Sequence, residues 1–219
     1  MKKQFLFLSM LLMTVMSYAQ DITSYRGAFA PAPEAQWTDG WVNWDPQNTA
    51  YGATNVTVSG SITSNTTWTS NNIYKISGIV YVNSGATLTI QAGTVIRGDE
   101  TVANSSLFVA RGGKLIAIGT ACNPIVFTSN KAIGSRAKAD WGGIVLLGNA
   151  INNQGVNVQI EGTAAGEPRN FHGGTNDADN SGTLKYVRIE YGGYVFAANN
   201  EINALTMGSV GSGTTIDYV

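Results

Sequence analysis

From Ile73 onward the chain breaks into short β-branched runs separated by glycine, asparagine and serine, and this pattern limits its fold more than any other feature. The runs cover 79–82, 86–90, 94–97, 107–110, 114–118, 125–128, 144–147, 156–161, 184–191, 204–207 and 214–219. No amphipathic helical stretch of ten residues separates any two of them. Many short strands with turn residues between them fit a sandwich, a barrel or a solenoid. An internal echo chooses among these: Val158-Gln159-Ile160-Glu161 matches Val187-Arg188-Ile189-Glu190 after 29 residues, and Ile216-Asp217 repeats the Ile-acid step 27 residues later. A period of that size means stacked coils, each burying its apolar side chains in a shared interior and pointing polar ones outward. Parallel crossovers within one sheet are nearly always right-handed. The expected fold is therefore all-β, a right-handed parallel β-helix of about five or six turns.

Composition agrees. Only 12% of the 219 residues are charged, against about 25% in ordinary soluble domains. Glycine accounts for 26 residues, many at run boundaries where tight corners need a positive φ or close backbone approach. The formal net charge is -1 with no run of Lys or Arg, which argues against nucleic acid as a partner.

Lys2 and Lys3 precede an apolar run over 5–16, and Ser17-Tyr18-Ala19 offers a cleavage site, so residues 1–19 read as a secretory signal peptide. The run is shorter than the roughly 18–20 residues a membrane-spanning helix needs, and no later one is as long, so no transmembrane segment is expected after cleavage. The implied destination is outside the cell or on the outer-membrane surface. Cys122, the single cysteine, cannot form an internal disulfide, and beside Asn123-Pro124 it reads as a small buried hydrophobe. Residues 20–72, interrupted by Pro31, Pro33 and Pro46, form an expected irregular cap, and 73–219 the coil. The strand-like run over 214–219 has no capping segment after it, which predicts a coil continuing in a longer protein.

The segments Gly85-Ala86-Thr87-Leu88-Thr89-Ile90, Gly93-Thr94-Val95-Ile96-Arg97-Gly98, Pro124-Ile125-Val126-Phe127-Thr128-Ser129, Trp141-Gly142-Gly143-Ile144, Asp177-Ala178-Asp179-Asn180-Ser181-Gly182 and Tyr186-Val187-Arg188-Ile189-Glu190-Tyr191 resemble secreted Gram-negative β-helix proteins of pectin-lyase-like architecture. The resemblance implies a cargo of the type IX secretion system, whose members often end in a C-terminal sorting domain. It implies no defined biochemical role.

Several residues are candidates for chemistry. One coil period would align Glu161, Glu190 and Asp217 on neighbouring strands about 4.8 Å apart. Two full charges at that distance repel by about 3 kcal/mol at an effective dielectric near 20. Lys185 and Arg188 could neutralise the column, Ca²⁺ could bridge it, or one carboxyl could keep its proton and serve as the acid of a glycosidase. Asn176, Asp177, Asp179 and Ser181 place oxygen ligands at nearly alternate positions before Gly182, which suits either a Ca²⁺ loop or a plain Asx-type turn. Trp37, Trp41 and Trp44 at helical spacing offer a stacking platform for sugar rings or, with Trp68 and Tyr51, a cover for the apolar end of the first coil. His172, the single histidine, lies in an expected exposed loop. No Gly-x-Ser-x-Gly elbow, His-Glu-x-x-His pair or phosphate loop occurs. The reading is a non-catalytic extracellular protein that displays a rigid face to glycans, matrix or cell surfaces. The alternative is a polysaccharide lyase or glycoside hydrolase, with Arg97, Arg188 or Lys185 as a lyase base.

Overall fold

The computed structural model describes Phe29 and residues 34–219, so the leader expected over 1–19 lies outside the described residues. The chain divides into two units, Met1–Asp39 and Gly40–Val219. In the first, Phe29 stacks on Trp37 and the Gln36 amide donates to the Asp39 carboxylate.

The second unit is a parallel β-helix. Its first coil holds β1 (Val56–Ile62) and β2 (Thr66–Trp68), and its second β3 (Ile73–Val82) and β4 (Thr87–Ile90). The third holds β5 (Val95–Gly98), β6 (Ser106–Val109) and β7 (Lys114–Ile118). The fourth holds β8 (Ile125–Ser129) and β9 (Gly143–Leu147), then an insertion carrying β10 (Val158–Gln159) and β11 (Phe171–His172), then β12 (Gly182–Lys185). The fifth holds β13 (Val187–Ile189), a hairpin of β14 (Tyr194–Ala197) and β15 (Asn200–Ile202), then β16 (Leu205–Gly208) and β17 (Thr215–Asp217).

Three parallel sheets run the length of the stack. In the first, Val56, Tyr74, Ile96, Phe127 and Ile189 lie on successive rungs. In the second, Ser61, Tyr81, Phe108, Val145 and Thr206 do so. In the third, Thr67, Thr89, Ile116, Thr183 and Thr215 do so. β1 and β3 bend from the first sheet into the second at Gly60 and Gly78, whose φ values of +74° and +71° any residue with a Cβ would adopt only under strain.

The inward residues of all three sheets, among them Ile76, Leu88, Leu107, Leu115, Phe127, Leu146 and Leu184, make one continuous core. Burying each such side chain contributes about 1.5–3 kcal/mol, and this drives the stacking.

The coil begins at Val56, ahead of the expected boundary at residue 73, because 56–68 already pair with the second coil. The echo that suggested the repeat is not the true register. Val158 and Gln159 pair antiparallel with His172 and Phe171 inside the insertion, whereas Ile189 stacks on Phe127 and Ile216 on Leu184. The coils have unequal lengths because insertions grow at their corners, so no constant period could find the partners.

The outer sides of the sheets also depart from the expected polar surface. Outside the second sheet, Tyr81, Phe108, Val145 and Leu147 form another apolar cluster with Ile160 of the insertion and Ile202 of the hairpin. Outside the first sheet, residues 41–52 run lengthwise as a strap. Arg188 of the fifth coil donates to the Trp41 carbonyl, and Arg97 of the third donates to the Gly52 carbonyl. The expected cap over the end of the first coil is therefore a strap along its side. The first coil fills its own interior, with Trp68 stacked on Tyr74 at 4.9 Å between ring centroids.

Candidate functional site

The carboxylates expected in one column are dispersed. Glu161 is exposed just beyond β10, outside the three sheets. Asp217 lies on the third sheet beside Lys185, its register partner, with Nζ and Oδ2 2.9 Å apart. Glu190 lies at the end of β13 in the first sheet, where Arg188 faces it at 3.2 Å. Of the three arrangements open to the column, neither a shared proton nor a bridging Ca²⁺ survives this dispersal. Neutralisation by Lys185 and Arg188 does occur, but as two separate ion pairs.

Glu190 belongs to a network beneath the strap. The Tyr51 hydroxyl donates to Glu190 Oε1 at 2.7 Å, and Arg188 Nη2 donates to that hydroxyl at 3.0 Å. Burial, reinforced by the hydrogen bond to the Glu190 carboxylate, pushes the Tyr51 phenol up from 10.0 to about 12. A raised pKa in the folded protein means that this stability is fully present below pH 10.0 and is lost as pH climbs toward about 12. Denaturant titrations should therefore show wild type losing about 1.4 kcal/mol per pH unit more than Tyr51→Phe within that window. Parallel curves for the two proteins would remove the network as a source of strap stability.

The loop at 176–182 closes on protein donors. Asp177 Oδ1 accepts from the Ile151 amide at 3.0 Å, and the Asp177 carbonyl accepts from both the amide and the hydroxyl of Ser212. Asn176 Oδ1 accepts from the Ala178 amide, and the Ser181 hydroxyl donates to Asp179 Oδ2. Asp179 is buried, with Asn149 Nδ2 near its other oxygen at 3.5 Å. These contacts are those of an Asx-type turn pinning the insertion to the fifth coil. Among the described residues no three His, Cys, Asp or Glu side chains gather as a metal site would require.

The remaining candidates also separate. Trp41 is buried, edge-on to Tyr186 and Tyr218, while Trp44 is 75% exposed. The backbone at 37–41 is a turn, so the helical spacing of the tryptophans has no helix beneath it. Cys122 is exposed, contrary to its expected burial, because it sits at a corner outside both strands that flank it. His172 is half-buried, with Nδ1 2.8 Å from the Ser209 hydroxyl, and burial together with Arg111 lowers its pKa.

What the sequence reading missed is a surface. The third sheet keeps its outer side open, and β4 and β7 alternate buried and accessible residues. Its middle outward row is Thr67, Thr89, Ile116, Thr183 and Thr215, flanked by Thr87 and Lys114 on one side and by Ile118 and Lys185 on the other. Rungs about 4.8 Å apart hold these side chains in a flat, regular array in which the threonine hydroxyls of the middle row are interrupted at Ile116. The alternation in Thr87-Leu88-Thr89 was its signal, yet nothing in one coil tells which Thr pairs across the others.

Neither the curated proteins nor the solved structures include a match to this chain. A family model described as a pectate-lyase-like β-helix domain matches residues 60–219, from within the first coil to the last, in agreement with the three stacked sheets. The chain thus belongs to the pectate-lyase-like β-helix domain family.

Proposed function

We propose that this protein is a non-catalytic display module, working outside the cell or on its surface, whose third sheet binds glycan or matrix chains. The observation that carries this reading is the unequal covering of the three sheets. The strap lies over the first, and the insertion and hairpin lie over the second, while the third presents its threonine row to solvent. A rigid row of hydroxyls suits an extended polymer whose own hydroxyls repeat along its length. The candidate acids support a non-catalytic role, since Glu190 and Asp217 are held in ion pairs on different sheets and Glu161 stands apart from both. Secretion through the leader and the type IX route belongs to the same proposal.

The test is retention on immobilised polysaccharides, with reducing ends and unsaturated products followed in parallel. Wild type is expected to be retained on at least one polymer without releasing product. Thr89→Glu combined with Thr183→Glu should lower retention at least tenfold while leaving stability nearly unchanged, because both side chains point outward. Undiminished retention in the double variant would move binding off the third sheet, and product release by wild type would overturn the non-catalytic reading.

A further inference from the structure

Beneath the strap lie two arginines that the display function does not use and that have no carboxylate in ion-pair contact among the described residues. Arg97 points outward from β5, and Arg136 comes from the loop between β8 and β9. Arg97 donates through Nε to the Ser129 carbonyl, through Nη1 to Gly52, and through Nη2 to Asn130 and Lys131. Arg136 donates through Nε to the Lys131 carbonyl and through Nη1 to Pro46 and Thr49. Every one of these acceptors is a neutral backbone oxygen. A guanidinium carries five N–H bonds, so one on Arg97 and both on Arg136 Nη2 lack a protein acceptor among the described residues.

Neither cation has a carboxylate within 4.0 Å among the described residues. Of the other charges nearby, Arg188 is matched by Glu190 and Lys131 by Asp140, Asp45 accepts from Asn48, and Glu100 acts on Arg97 only from beyond ion-pair distance. Arg136 is only 5% exposed, and the two guanidiniums are close enough for each to feel the other's field. Arg136 is buried and Arg97 partly buried, and a buried charge without a counterion is costly, so buried cations are normally paired. The space beside them is a cleft of about 290 Å³ lined by Ala50, Tyr51, Gly52, Arg97, Ile133 and Arg136, among others.

We propose that this cleft is an oxyanion site that takes a tetrahedral phosphate or sulfate group. The unfilled N–H bonds come from two separate guanidinium forks, which suits an acceptor with oxygens pointing in several directions. The anion would neutralise both arginines at once and tie the strap at residues 50–52 to the 131–136 loop. The group is either a free inorganic ion or a substituent on a larger molecule, and the recognising chemistry is the same in both cases.

Thermal unfolding in phosphate, sulfate and chloride at matched ionic strength tests this. A ligand bound only by the folded chain should raise the midpoint with the logarithm of its concentration above its dissociation constant, by about 4 °C at ten times that constant. Ile133 lines the cleft and is 52% exposed, so Ile133→Glu supplies a carboxylate without disturbing the core. This variant should melt higher than wild type in chloride and show no such logarithmic gain from phosphate or sulfate. Arg136→Gln should also lose the gain, and should it fail to fold, Ile133→Glu alone decides. Equal midpoints in all three salts would overturn the site. So would a rise that grows in proportion to salt concentration and is the same in Ile133→Glu, since sulfate and phosphate stabilise any folded protein by exclusion from its surface. Comparing inorganic sulfate with a sulfated polysaccharide at equal sulfate concentration then assigns the source. A logarithmic gain from either one that Ile133→Glu loses confirms the site. The Thr89→Glu and Thr183→Glu double variant should keep the full anion effect, which separates this site from the third sheet.

Discussion

Replacing Gly182 with alanine should cost roughly 3–5 kcal/mol, enough to leave little soluble folded protein. Gly182 opens β12, where the chain returns from the insertion to stack on the third coil. Its φ of +121° lies where side chains are strained, and a Cβ there would overlap the backbone of Leu115, the residue on which it stacks. Leu115 cannot retreat, because its amide donates to the Ser181 carbonyl at 3.0 Å and its side chain is fully buried. Gly155→Ala separates the two causes, since Gly155 has a φ of +101° but nothing within 4 Å of the added carbon. That control should lose only about 1–2 kcal/mol. Denaturant midpoints for the two variants measure the difference, and equal losses would show that the fourth coil slides away from the contact.

Trp141→Ala should destabilise by about 3–5 kcal/mol. Trp141 is 2% exposed, stacks on Phe127 at 6.2 Å between ring centroids, and donates through Nε1 to the Glu190 carbonyl at 2.8 Å. Its Cβ and indole together occupy the space that a side chain at Gly98 would need. One ring thereby joins the third, fourth and fifth coils. Gly98→Ala should itself be costly, yet in a Trp141→Gly background, which removes Cβ together with the ring, the added methyl should be tolerated, a non-additivity that a double-mutant cycle reads directly. Additive losses would mean that Gly98 serves the backbone and not the indole.

The network beneath the strap explains why some site residues could not be found in the sequence. Arg188 and Glu190 were visible as an outward pair flanking Ile189, but Tyr51, which bonds both, lies far upstream in a segment that reads as an irregular cap. Arg97 was read as a candidate lyase base. Its four carbonyl partners come from two distant segments, Gly52 of the strap and 129–131 at the end of β8, and hydrogen bonds to backbone oxygens leave no mark in side-chain identity. The loop at 176–182 was legible down to its alternatives, because Asx turns and cation loops use the same residues. The choice depended on which protein donors came within reach.

Alternating apolar residues, β-branched runs and corner glycines were enough to establish short strands with a buried side, since these features act within a few residues, and the choice of a parallel coil over a sandwich or barrel came from the internal echo. The register, and with it the company each charged side chain keeps, was decided only by tertiary structure. The corner insertions at 130–142, 148–181 and 190–204 lengthen the later coils without interrupting the core, so Ile189 meets Phe127 and not a neighbour at constant spacing. The strap and insertions then covered two outer faces and left the third open: apolar side chains outside the second sheet gain by leaving water, Arg97 and Arg188 outside the first exchange water for strap carbonyls, and a row of threonines gains little from being covered.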